Sequence, residues 1–131
     1  MVGKLFGKVS DVKVQDVSSL LPGTVGVYVQ WLVTKETGSE KFAMRRFVVK
    51  PKGRMPLHNH KYVEAVFIIR GRLSVRIGND ERVVGPGDYL FTSPWEPHSI
   101  ENPFDDEAEF VCVISYEDDM RLYALEAGIN S

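Results

Sequence analysis

The sequence predicts an all-β sandwich or barrel, and three observations carry that expectation. The hydrophobic period is two residues rather than three and a half. Short β-rich runs recur at regular spacing, with glycine and proline between them. No stretch alternates strand with long helix, as βαβ units would.

The runs follow one another in order. Val27, Val29, Trp31 and Val33 alternate with Tyr28, Gln30 and Leu32, and the loop Glu36-Thr37-Gly38-Ser39 follows. Phe42 to Lys50 is a second run, closed by Pro51-Lys52-Gly53. Val63 to Arg70 is a third, ended at Gly71. Leu73 to Ile77 and Arg82 to Val84 flank Gly78-Asn79-Asp80, which reads as a hairpin turn. Tyr89 to Thr92 and Glu109 to Ser115 complete the set. Only the tail departs from strand character. Asp118 is placed to cap a helix over Met120 to Ala127, with Gly128 as its stop. No repeat or linker divides the chain, so one domain over 1–131 is expected, with a core barrel over about 25–116.

Composition removes several classes of function. The chain has 44% apolar and 26% charged residues, ordinary for a soluble globular domain. Sixteen basic and eighteen acidic residues leave a net charge of −2, which gives no basic field for nucleic acid. No apolar run approaches the ~20 residues that span a bilayer. No leader pattern stands at the N-terminus. The single cysteine, Cys112, has no intramolecular partner and fits a reducing, cytoplasmic setting.

The functional signal is concentrated in three histidines, the full complement of the chain. His58 and His60 are one residue apart and Glu64 is four further on. Residues of equal parity on a strand point the same way. If Pro56 to Ile69 is one extended run, His58, His60 and Glu64 face a common interior. His98 follows the stiff segment Ser93-Pro94-Trp95-Glu96-Pro97, which can aim it at the same point. Three imidazoles and a carboxylate suit a divalent transition metal, with Mn, Fe, Co, Ni, Cu and Zn all admissible. A carboxylate just before the apolar run Ala65-Val66-Phe67-Ile68-Ile69 is costly to bury without a cation. Arg45 shares a face with Phe47 and Val49, and Arg46 shares the other with Met44 and Val48. One arginine must therefore point inward, where it would anchor an anionic substrate or form a rim salt bridge. Cys112 alternates with Phe110 and Ile114 on a face placed inward, which reads as a small buried hydrophobe. Tyr28, Gln30, Tyr89, Phe91 and Trp95 are candidate pocket walls.

With these residues in view, the chain resembles a small single-domain cupin. Gly53, His58, His60, Glu64 and Gly71 match the family's first motif, with the first gap one residue short. Gly87, Pro94, His98 and Asn102 match the second. The turn before His98 reads Pro-Trp-Glu-Pro and lacks the family's usual glycine. The resemblance implies an RmlC-like jelly-roll barrel of two antiparallel sheets, with one metal held inside by His58, His60, Glu64 and His98. It also implies that Arg45 is the inward arginine. Cupins catalyse many reactions, so function must come from the site. The expected function is a metal-dependent enzyme on a small organic molecule, dioxygenase- or decarboxylase-like, with Glu64 as base and Arg45 at the substrate. The alternatives are a non-catalytic ligand- or metal-binding module and a sugar isomerase or epimerase. Outward-facing Val63, Ala65, Phe67 and Ile69 are more apolar than a solvated sheet face, which leads to the expectation of a homodimer.

Overall fold

The computed structural model describes residues 5–126. Among the described residues there are ten strands: β1 (Gln15–Asp16), β2 (Val25–Val33), β3 (Phe42–Asn59), β4 (Glu64–Arg70), β5 (Leu73–Ile77), β6 (Asp80–Val84), β7 (Tyr89–Thr92), β8 (His98–Glu101), β9 (Ala108–Ser115) and β10 (Tyr123–Ala124). Every pairing is antiparallel, and the strand path runs β6-β5-β8-β3-β9-β4-β7. The molecule is a nearly closed β-barrel.

β3 makes the barrel possible. Its first half pairs with β2 and β9, and its second half with β8 and β10. One strand therefore runs through both halves of the barrel wall. The sequence reading ends a strand at Pro51-Lys52-Gly53, but the chain bends there and continues. Lys52 takes a left-handed φ of 68°. Gly53 lies so close to its neighbours that a Cβ would stand 2.7 Å from the Gly26 carbonyl oxygen. The turn signal is real, and it marks a corner within a strand rather than its end.

Asn102 holds that corner. It is fully buried. Its side-chain amide donates to Val49 O at 3.1 Å and Asp106 O at 2.8 Å, and its Oδ1 accepts from Phe104 N at 3.0 Å. Its backbone exchanges bonds with Lys52 and Gly53 at 2.8 and 2.9 Å. Gly71 closes the loop after β4 at φ 74°, where a Cβ would lie 2.2 Å from Glu107 O. No other residue fits that approach.

Between the sheets lies an aliphatic and aromatic core centred on Val27, Val29, Phe47, Ile68, Leu73, Phe110 and Ile114. Phe47 and Phe110 stack with ring centroids 4.8 Å apart. Leu73 to Ile77 and Asp80 to Val84 form the expected hairpin, closed by Gly78 at φ 59°.

Two expectations are corrected. The helix over Met120–Ala127 does not form over residues 120–126, and Ala127 and Gly128 lie outside the described residues. Tyr123 and Ala124 instead pair with Asn59 and His58, and Leu125 N donates to Leu57 O at 2.8 Å. The far end of β3 offers unpaired backbone groups there, and satisfying them outweighs a short helix propensity. Nor is Pro56 to Ile69 one extended run. The chain turns between Asn59 and Glu64, so the metal-site candidates come from two strands and the turn between them. Among the described residues no helix is long and apolar enough to cross a membrane.

Replacing Asn102 by alanine removes three buried side-chain bonds at once. We expect a loss of about 3 kcal/mol of unfolding free energy. Urea titration with an unchanged slope measures it, and a loss near zero would show that the corner holds without the amide.

Candidate metal centre

Four separate stretches of chain bring the site together. His58 in β3 lies directly opposite His98, the first residue of β8. His60 stands one residue past β3, where its carbonyl accepts from Trp95 N at 2.7 Å. Trp95 has φ 65°, and its ring lies 5.6 Å from that of Tyr123. The turn before His98 thus reaches a left-handed conformation without a glycine, and its neighbours hold that strain. Glu64 opens β4, between Thr92 of β7 and Ile114 of β9.

All three histidines are buried. Their ligand nitrogens lie within 4.8 Å of one another. The ring nitrogens that face away are each tied to a backbone carbonyl. Nδ1 of His58 is 2.7 Å from Pro56 O, that of His60 is 2.8 Å from Tyr62 O, and that of His98 is 2.8 Å from Glu96 O. A carbonyl can only accept, so each Nδ1 carries its proton and each Nε2 presents a lone pair. The Nε2 atoms of His60 and His98 stand 3.2 Å apart. Glu64 Oε1 lies 3.1 Å from His60 Nε2 and 3.5 Å from that of His98. Three acceptors therefore converge with no neutral donor between them. A proton shared by His98 and Glu64, or a divalent cation, removes that repulsion. Two nitrogens at right angles on an ion at 2.0–2.1 Å stand about 3.0 Å apart, close to the spacing seen. The donor set fits a transition metal.

Charge follows the same geometry. Burial, with His98 adding to it, pushes the His58 imidazole down to about 3, so it is neutral and ready to ligate. Burial alone would raise the Glu64 carboxyl. The His60 and His98 rings, when either carries a proton at Nε2 to donate, and the Arg45 charge outweigh it and hold the group ionised, well below the usual range. His98 is also buried, yet the Glu64 carboxylate lifts it above the ordinary imidazole value.

Behind Glu64 is a clamp. Cys112 Sγ donates to Glu64 Oε2 at 2.8 Å, and Arg45 Nη2 lies 3.5 Å from the same oxygen and 3.2 Å from Sγ. Arg45 is buried between the rings of Trp31 and Phe47, at 5.1 and 4.8 Å from their centroids. Arg45 is thus the inward arginine, and its partner is Glu64. Arg46 faces outward, bonded to Gln30 and Glu109. Burial raises the Cys112 thiol far above its ordinary value, so it stays a protonated donor.

The candidate walls divide differently from the expectation. Tyr28, Gln30, Tyr89, Phe91 and Trp95 do not line the cavity that holds the histidines. Tyr28 and Gln30 line a groove on the outer surface, and Gln30 is buried there by its bonds to Val9 O and Val12 O. Tyr89 and Phe91 project outward from β7, while Leu90 and Thr92 point in. Sequence reasoning missed Tyr62, whose ring stacks on His60 at 3.8 Å between centroids, and Thr92. Tyr62 shares parity with His60 and Glu64, the signal that singled out those two. Thr92 carried no comparable mark.

Comparison with known proteins agrees with this geometry. The sequence pattern of the family described as Cupin domain matches residues 45–114, over half of the chain, from Arg45 through all four candidate ligands to Cys112. No curated protein matches the chain. Among solved structures, the polyketide cyclase RemF of Streptomyces resistomycificus is 21% identical, with a TM-score of 0.86 over 96% of this chain and 88% of that one. A predicted oxalate decarboxylase of Thermotoga maritima is 25% identical, with a TM-score of 0.73 over 86% of this chain and 100% of its own. The DMSP lyase DddQ of Ruegeria pomeroyi is 16% identical, with a TM-score of 0.76 over 88% of this chain and 61% of its own.

Metal occupancy is directly measurable. A divalent ion at 100 times its dissociation constant should stabilise the fold by about 2.7 kcal/mol, read as a higher melting temperature that a chelator reverses. His60→Ala should fold without showing that shift. A metal-induced shift of normal size in His60→Ala would remove the histidines from the binding site.

Proposed function

We propose that the chain, which belongs to the cupin family, is a metal-dependent enzyme acting on a small organic molecule, of the lyase- or decarboxylase-like kind. The single observation that carries this reading is the convergence of acceptor atoms on the wall of a cavity inside the barrel. A structural ion would be sealed by its ligands. Here His58, His60, Glu64 and His98 line a cavity whose other walls include Phe47, Leu73 and Ile100. When bound, a divalent metal supplies Lewis-acid polarisation of a substrate oxygen.

The chain's own groups supply the rest. His58, His60 and His98 hold the ion through Nε2, their rings fixed by the Pro56, Tyr62 and Glu96 carbonyls. Glu64, ionised and with Oε1 beside the three imidazoles, would serve either as a fourth ligand or, with Oε1 free of the ion, as the acceptor of a substrate proton. Arg45 and Cys112 bind its other oxygen, so the carboxylate cannot swing away from the histidines. Aliphatic walls keep bulk water from the reacting atoms. The solved structures named above include a cyclase, a predicted decarboxylase and a lyase, and all three names are compatible with proton transfer next to a polarised oxygen.

The protein is further proposed to act as a homodimer in the cytoplasm. Phe67 and Ile69 of β4, Tyr89 and Phe91 of β7 and Val113 of β9 are exposed on one outer face. Cross-strand register makes it continuous, with Ala65 between Phe91 and Val113 and Phe67 beside Tyr89. A second copy packed face to face covers it.

Two measurements test this reading. Glu64→Gln should retain metal by elemental analysis and lose turnover by at least about a hundredfold, the size of a general-base contribution. Unchanged turnover would remove Glu64 from the chemistry, and oxygen uptake on turnover would move the enzyme to the dioxygenases. Light scattering should give twice the chain mass, and Phe67→Glu should give the monomer with its metal retained. A monomeric parent protein would refute the dimer.

A further inference from the structure

We infer that Thr92 meets the substrate, its hydroxyl donating a hydrogen bond to a substrate oxygen seated beside Glu64. This rests on the reading of the cavity as a substrate site and deepens it by adding a residue outside the ligand set. The observation that carries it is an unpaired buried hydroxyl. Thr92 is 1% exposed and lines the cavity that holds the histidines. Its Oγ1 has no hydrogen-bond partner among the described residues. A buried hydroxyl left unsatisfied costs stability, and a valine of nearly the same size would avoid that cost.

Two other buried side-chain atoms share that condition among the described residues, and neither is placed to bind substrate. Thr24 does not line the cavity. Arg45 Nε belongs to a guanidinium held between the Trp31 and Phe47 rings, whose Nη2 already faces Glu64 and Cys112. Thr92 is different. It lies directly across from Glu64 in the β4–β7 pair, and both residues line the cavity. Opposed side chains on one sheet face start about 5 Å apart at Cβ. Glu64 nevertheless turns both oxygens elsewhere, Oε2 to Cys112 and Arg45 and Oε1 to His60 and His98. The cavity wall at this pair therefore offers an acceptor from β4 and an unmatched donor from β7.

A substrate oxygen placed there serves both groups. When Glu64 takes a proton from the substrate, the electron pair left behind moves onto that oxygen. Thr92 then donates a hydrogen bond to it and keeps its own proton. A donor already aimed at developing charge lowers the barrier. The hydroxyl and the methyl leave the same Cβ, so a staggered rotation turns either one to the cavity. Being neutral, Thr92 selects for an acceptor atom and not for net charge. The ion on the three histidines sets what charge the substrate can carry.

Cyclopentanol, a small uncharged molecule with one hydroxyl, is the probe. Its dissociation constant is measured by NMR titration on zinc-loaded and on chelator-treated protein. Thr92→Val should weaken it about three- to tenfold in both forms, the loss of one hydrogen bond, and Thr92→Ser should restore it. Thr24→Val, which removes the other unpaired hydroxyl, should leave binding unchanged. Melting curves give a second readout. Thr92→Val should melt at or above the parent protein, because a hydroxyl without a partner does not support the fold. The inference is overturned by a lower melting temperature in Thr92→Val, by equal affinity in that variant and the parent, or by an equal loss in Thr24→Val. Failure of Thr92→Ser to restore binding, or a parent protein that does not bind cyclopentanol, overturns it as well. Zinc content is read separately by elemental analysis. A chain that takes up no zinc sinks the metal-enzyme reading, and the affinities of the chelator-treated proteins still decide the role of Thr92.

Discussion

Everything in this molecule depends on the bend in β3. An 18-residue strand cannot stay in one twisted sheet of a small barrel. It turns at Lys52 and Gly53 and continues into the other half of the barrel wall. Arg45 lies on one side of that corner and His58 on the other. The charge clamp and the imidazole cluster are thereby carried by one continuous backbone, and β9 and β8 deliver Cys112 and His98 against its two halves. Asn102 fixes the corner through bonds that no apolar residue could make. The second motif therefore positions the metal site twice, by contributing His98 and by holding the strand that carries His58.

The electrostatics follow from this placement. Carbonyls belonging to the same turns and strands take each Nδ1 proton, so the rings have no choice of tautomer. Burial then favours neutral imidazole, the form that ligates. Glu64 is the one anion among them, and its two oxygens have different work. Oε2 meets a thiol and a guanidinium, both donors, while Oε1 meets two nitrogens that offer lone pairs. A carboxylate so divided is polarised towards the histidines, and a cation at that point completes its bonding. The cluster attracts an ion for the same reason that it is unstable without one.

Much of this was legible in the sequence, for reasons that can be named. Period-two patterning found the strands from β2 to β7 and β9, because each buries one face. Histidine spacing found the site because imidazoles one residue apart share a face whether or not the chain later turns. That last step mattered: Glu64 meets His60 although the extended run assumed between them is broken at Lys61 to Val63. The strands β1 and β10 escaped because two residues carry no period, and β8 because His98-Ser99-Ile100-Glu101 holds a single apolar residue. The tail was misread as helix because its local caps are genuine, while its actual partner, the open end of β3, is far away in sequence. Pocket walls failed for a similar reason. Tyr89 and Phe91 are aromatic and close to the site in sequence, but their parity turns them outward, and Leu90 and Thr92 line the cavity instead.

β4 joins the interior to the surface. Val66 and Ile68 point into the cavity with Glu64, while Ala65, Phe67 and Ile69 point out. A strand apolar on both faces is expected only where both faces are covered. The inner cover is the opposite sheet. On the outside, β7 and β9 extend the same apolar character across register, and among the described residues β7 ends the strand path. Exposed, a face of this kind at a sheet edge is an aggregation hazard that monomeric proteins usually blunt with charge. None of Ala65, Phe67, Ile69, Tyr89, Phe91 and Val113 carries charge. Glu64 starts the strand whose other face this is, so any contact that stiffens β4 from outside also steadies the carboxylate within. The outer surface and the metal centre are therefore two faces of one strand.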